Sequence, residues 1–171
     1  MKRFLALLLS IIFLSGCDVM DLLNPLPKQL PDDFCFSIIW NTFGISSYDS
    51  KTGELIKTTD ASDPSIYKTT LNLSLEDTTN IYDKLHDLNF ANYSETLSSS
   101  NFYQAIPYST LSITVTTGKI NKTLTANEVG NIEHAKNESA QLFLDTINFI
   151  VNIIESSAEW KALPDYEFLY D

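Results

Sequence analysis

From Phe34 onward, apolar residues alternate with polar ones in short runs, switch to helical spacing, and then repeat that change. The run Phe34 to Phe43, FCFSIIWNTF, is rich in aromatic and β-branched residues and predicts a strand. Phe34, Phe36, Ile38 and Trp40 then share one face at period two. The polar stretch GISSYDSKTG, bracketed by Gly44 and Gly53, reads as a turn. Glu54 to Thr59 is the return strand of that hairpin. A second turn, DASDPS, contains Pro64, which bars a helix. Ile66 to Leu73 is a third strand, with Tyr67, Thr69, Leu71 and Leu73 alternating against polar neighbours. Ser74 followed by Asp77 has the spacing of a helix N-terminal capping box. The helix it opens should run to Leu88, with Leu75, Ile81, Tyr82, Leu85 and Leu88 on one face.

Residues 89–107 show no clean period, and a structureless loop of that length is usually functional or mobile. Tyr108 to Thr117 predicts a strand with Leu111, Ile113 and Val115 inward. Gly118 and Lys119 make the turn, and Ile120 to Thr125 returns. Residues 126–136 are polar and ambiguous. Asn137 caps the last helix, where Ala140, Phe143, Leu144, Ile147, Ile150, Val151 and Ile154 recur at helical spacing. Leu142, Phe149 and Ile153 widen that stripe, which predicts a heavily buried helix. Pro164 ends any helix beyond it. The order is therefore hairpin, strand, helix, hairpin, helix. It predicts an α+β fold: an antiparallel sheet of about five strands with two helices on one face. Residues 34–171 have the length of a single domain.

The chain begins differently. Met1-Lys2-Arg3 is followed by an unbroken greasy run from Phe4 to Leu14. Two positive charges ahead of a short apolar stretch have the form of an export leader. The run is shorter than the ~20 residues a spanning helix takes. Leu14-Ser15-Gly16-Cys17 then resembles the lipobox of bacterial lipoprotein precursors. That resemblance implies a signal peptide over residues 1–16, a diacylglyceryl group on the Cys17 sulfur, and cleavage just before Cys17. It also implies a cell-envelope protein held outside the cytoplasm by membrane lipid. Asp18, directly after the cysteine, resembles the signal that retains some such proteins at the cytoplasmic membrane. Residues 17–33 contain Pro25, Pro27 and Pro31 and read as a semi-extended tether, with Leu22, Leu23, Leu26 and Leu30 available to pack part of it on the domain.

Charge narrows the partners. Eleven Lys and Arg stand against 22 Asp and Glu, and the only arginine, Arg3, lies in the leader. Arginine supplies the planar fork that grips phosphate. An acidic chain without it is a poor match for nucleic acid, whose phosphates dominate affinity. With Cys17 acylated, Cys35 has no intramolecular partner, and its apolar flanks predict a buried, inert thiol.

Chemistry is sparse. His86 and His134 stand far apart and form no metal-binding spacing, so neither a metal nor a cofactor is expected, and both read as exposed. Asp49 to Gly53 has the start of a calcium loop but lacks its later acidic ligand, so a hairpin turn fits better. No nucleophile motif and no phosphate-cradling glycine loop occurs, and no catalytic residue is assigned. The remaining signal is aromatic. Tyr93, Phe102, Tyr103 and Tyr108 are spaced by small polar residues in the long loop, and Tyr48 with Asp49 sits in the first turn. Rings so placed suit a partner such as an envelope protein, peptide or glycan. The chain thus reads as a lipid-anchored, non-enzymatic binding or interaction module. The rival reading is an envelope hydrolase acting on cell wall or glycan, which would need a concave site lined by a suitable acid or histidine.

Overall fold

The computed structural model describes residues 26–165, apart from 43, 59–64 and 94–96. The leader, Cys17 and Asp18 lie outside the described residues. Among the described residues the fold is α+β. Strands β1 (Cys35–Trp40), β2 (Ser46–Asp49), β3 (Glu54–Thr58) and β4 (Ile66–Thr70) precede helix α1 (Leu75–Asp87). Strands β5 (Ser109–Thr117) and β6 (Ile120–Val129) then lead to α2 (Glu138–Ser156) and the short α3 (Ala158–Lys161). The strands form one antiparallel sheet in the order β4-β3-β2-β1-β5-β6.

The sheet has one strand more than the expected five. The segment SSYD, turn-like in its composition, is a strand: Ser46 and Tyr48 point inward from β2, which pairs with β1 as Ile38 to Tyr48 and Ile39 to Ser47. The first hairpin is therefore β1–β2, and Glu54–Thr58 pairs with β2 rather than with β1. The turn itself shrinks to Asp49–Gly53, where Gly53 takes a left-handed φ of 72° and its N–H donates to the Asp49 carbonyl at 2.8 Å. Strand β6 runs on to Val129, through the stretch that had no clear period.

Period-two alternation sorts the sheet into two unlike faces. Phe36, Ile38, Trp40, Tyr48, Leu55 and Ile113 are buried on the face that α1 and α2 cover. The opposite face carries Ser37, Ser112, Thr114, Thr123 and Thr125. Its hydroxyls pair across β5 and β6, Ser112 with Thr125 and Thr114 with Thr123, each at 2.8 Å. Cys35 lies on this second face, half-buried, and not in the core as its flanks had suggested. It is the neighbour of Thr116 on β5, at the end of the sheet where the chain comes in.

Both helices start where the capping residues say. The Ser74 hydroxyl accepts from Asp77 N–H at 3.0 Å, and the Asn137 side chain accepts from Ala140 N–H at 2.8 Å. Leu75 departs from the expected face: in the first position of α1 it is 76 % exposed. On α2 the stripe from Ala140 to Ile154 is buried, but Leu142 is 40 % exposed and Phe149 and Ile153 only partly covered. Among the described residues of the long loop, Phe90, Tyr93, Leu97 and Phe102 turn inward and are buried. The loop makes two short 3₁₀ turns, Phe90–Asn92 and Ser99–Asn101, and Phe102 then plugs the core and bridges to Ala135. Lys122 secures the first of these turns by donating to the carbonyls of Ala91 and Tyr93.

Part of the stretch expected to be a tether, residues 26–33, packs on the domain. Leu26 is already buried, the Tyr82 hydroxyl donates to the Pro27 carbonyl, and the Phe34 ring meets Tyr82 edge-on at 5.0 Å. The Asp33 carboxylate accepts from Gly118 N–H and from the Thr117 hydroxyl, which ties the incoming chain to the β5–β6 turn. No described helix is long and apolar enough to cross a membrane.

Candidate functional site

At the end of the sheet opposite the incoming chain, β1 stops at Trp40. Asn41 takes a left-handed φ of 76°, and its side-chain oxygen accepts from Thr42 N–H at 2.9 Å. Its carbonyl accepts from Gly44 N–H and Thr110 N–H, which holds the start of β5 alongside. Helix α2 crosses here. The stripe Ile147, Asn148, Val151, Asn152 and Glu155 faces Trp40, Leu111 and Ser109 across a groove of about 610 Å³. That volume falls within the range of small-ligand pockets, roughly 300–1,000 Å³. Trp40, Leu111 and Ile147 make an apolar floor. Asn148, Asn152, Glu155 and Glu133 make a polar wall with no lysine, histidine or arginine in the lining.

The groove is braced. The Trp40 indole N–H donates to Glu155 Oε1 at 2.9 Å, and the Trp40 ring packs on Trp160 with 5.5 Å between centroids. The Lys57 ammonium sits 4.7 Å over the Trp160 ring from the far side. The rim carrying Glu133 is stitched to α2 by side-chain amides. Asn148 donates to the Ile132 carbonyl at 2.7 Å, and Gln141 donates to the Glu133 carbonyl while accepting from Ala135 N–H. The Asn131 side chain accepts from Glu133 N–H and His134 N–H. Side chains held by such bonds are already in place before anything binds. A smaller hollow of about 430 Å³ is lined by Gln104, Ala105, Ile106, Tyr108 and Glu128. Tyr108 and Ser109, one lining each cavity, are consecutive in the chain.

The aromatic residues expected to form a recognition surface divide. Tyr48, Tyr93 and Phe102 are core residues and offer no surface to a partner. The Tyr48 hydroxyl donates to the Leu71 carbonyl, and burial pushes its pKa up to about 12. The Tyr93 hydroxyl donates to the Ser139 carbonyl at 3.1 Å and joins α2 to the loop. Their alternation with serine and asparagine looked like a paratope, but it is how rings fold down from an irregular segment onto a sheet. Asp49 serves its own turn, accepting from Lys51 N–H and Thr52 N–H. Only Tyr103, 51 % exposed with Lys136 5.7 Å from its ring centre, and Tyr108, half-buried beside the smaller hollow, remain at the surface. His134 is exposed and His86 is half-buried. Among the described residues no three His, Cys, Asp or Glu side chains gather as a metal site would require.

The groove residues were overlooked because they belong to elements read as core. A signal was present. Asn148 and Asn152 recur at i and i+4 inside the apolar run INFIVNII, a polar stripe on an otherwise apolar helix that marks a face left open to solvent or to a ligand. No known protein family matches the chain, and no curated protein matches it.

Proposed function

We propose that this chain is a lipid-anchored binding module of the bacterial cell envelope, fastened outside the cytoplasm through an acylated Cys17. The groove between Trp40 and α2 is its ligand site. The observation that carries the reading is the separation of two ends. The described chain comes in at Leu26 beside Tyr82, and Asp33 is pinned to the β5–β6 turn. The groove opens at the far end of β1, and six residues of strand at ~3.3 Å each put it on the order of 17–20 Å away. An anchor at Cys17, nine positions before Leu26, joins the body at the end away from the groove. The lipobox resemblance of Leu14 to Cys17 supports the anchor, and the aspartate at position 18 favours the cytoplasmic membrane. Two acyl chains suffice for stable attachment at ~0.8 kcal/mol per buried CH₂.

The protein contains two tryptophans, Trp40 and Trp160, and they pack together under the groove. Their emission is a built-in reporter of occupancy. Titration with envelope peptides and glycan fragments should shift it for a true ligand, and Asn152→Trp should block the shift by filling the groove. A ligand that binds with the emission unchanged would place the site elsewhere and sink this reading.

One observation favours a second reading. Glu133 and Glu155 are two carboxylates lining one cleft, the arrangement glycoside hydrolysis uses. An envelope glycan hydrolase would lose turnover in both Glu133→Gln and Glu155→Gln. Absence of any bond cleavage by the wild type on wall-derived glycans removes it.

A further inference from the structure

We infer that the groove takes a basic, extended polypeptide segment, whose cationic side chains reach Glu155, Glu133 and Glu128 while its apolar ones lie on the floor. This rests on the ligand-site reading above and specifies the ligand. Three features of the molecule select it. The groove and the smaller hollow each combine apolar surface with carboxylates, and neither lining contains a cation. An anionic ligand would therefore meet uncompensated negative charge, and a neutral one would leave three carboxylates without a counter-charge on the ligand. The two cavities also flank the start of β5, the groove on the helix-covered face with Ser109 and Leu111 and the hollow on the other side with Tyr108 and Glu128, so a chain that wraps the end of the strand would reach both. Finally, apolar side chains border the path: Ile106 is 91 % exposed and Ile132 46 % exposed, on segments joined by the Gly130 N–H to Tyr103 carbonyl bond. A polypeptide of alternating character supplies both kinds of contact, since successive residues of an extended chain point to opposite sides. Glu155 is fixed by the Trp40 indole at one oxygen, and the side chain of Glu133 makes no hydrogen bond among the described residues.

The test uses the full chain in a non-ionic detergent and two synthetic peptides, one of alternating lysine and leucine and one of alternating glutamate and leucine, with a neutral chitin oligosaccharide as the third probe. Tryptophan emission and calorimetry should both report binding of the lysine peptide alone. Replacing Glu128, Glu133 and Glu155 by glutamine should weaken it by about tenfold or more. The same loss of charge placed on the outer face of α1, at Glu76, Asp83 and Asp87, should change it by less than about twofold, because exposed charges a Debye length away are screened. If the triple variant unfolds, Glu133→Gln alone, at an exposed side chain, should still weaken binding by about threefold. Equal weakening by the α1 set would reduce the effect to diffuse attraction and overturn the inference. Preference for the oligosaccharide would overturn it while leaving the groove as the ligand site. Silence with all three probes would also overturn it, and the wider panel of envelope ligands would then decide the ligand-site reading separately.

Discussion

Asp33 is exposed, yet its carboxylate holds a turn in place. It receives the Gly118 N–H at 2.7 Å and the Thr117 hydroxyl at 2.8 Å, and those bonds, the backbone one first, hold its pKa below the usual aspartate value of 3.8. A depressed folded-state pKa contributes stability that is present above the unfolded value and lost as pH falls through the folded one. Denaturant unfolding of wild type and Asp33→Asn, followed from about pH 6 to about pH 2, should show the gap between them closing below the ordinary aspartate range. A gap of constant size would contradict this role. Glu128 makes a second residue-scale case. Register slips by one residue between Ser109 and Leu111, and Glu128 absorbs the bulge at a left-handed φ of 57°. Glycine adopts that conformation without a Cβ clash, so Glu128→Gly should raise stability by up to about 1 kcal/mol. It should also weaken the lysine peptide, since the carboxylate is gone. A stability loss would mean that the Glu128 side chain does more for the fold than the bulge costs.

Elements differed in how clearly the sequence announced them. Both long helices were legible because their signals are local: Ser74 with Asp77, and Asn137, start helices through hydrogen bonds to residues three positions away. Their buried faces followed from spacing, with Leu75, exposed in the first position of α1, the exception. Strand β2 was illegible because SSYD lacks β-branched residues, and its place is fixed by cross-strand partners on β1 and β3. The segment 97–105 was misjudged for a related reason. Its order comes from distant contacts, Phe102 with Ala135 and Gly130 with Tyr103, which no window of sequence contains. A Cβ at Gly130 would stand 2.0 Å from the Ala105 backbone nitrogen. Gly130→Ala should therefore cost about 1–3 kcal/mol, read as a shift in denaturation midpoint. A neutral result would show that the loop is not held where β6 ends.

The whole molecule is arranged from one end to the other. The chain arrives beneath α1, the sheet carries Phe36, Ile38 and Trp40 through the core, and the far end presents an acidic, apolar-floored groove. The fold class was legible in the sequence, but the groove was not, because its walls come together from β1, β5, α2 and the residues Ile132 and Glu133. One consequence concerns the membrane. Trp40 and Trp160 report from the end away from the incoming chain, so lipidated protein in vesicles of brominated phospholipid should keep its full emission. Strong quenching would put the groove against the bilayer and reverse the orientation.

The claim beneath all of this is the acyl anchor at Cys17, and intact mass of the wild-type protein purified from bacterial membranes tests it most directly. The account predicts a chain beginning at residue 17 with added diacylglyceryl mass, and no such species from Cys17→Ser. A chain that keeps residues 1–16, or one cut elsewhere with an unmodified thiol at Cys17, would contradict it.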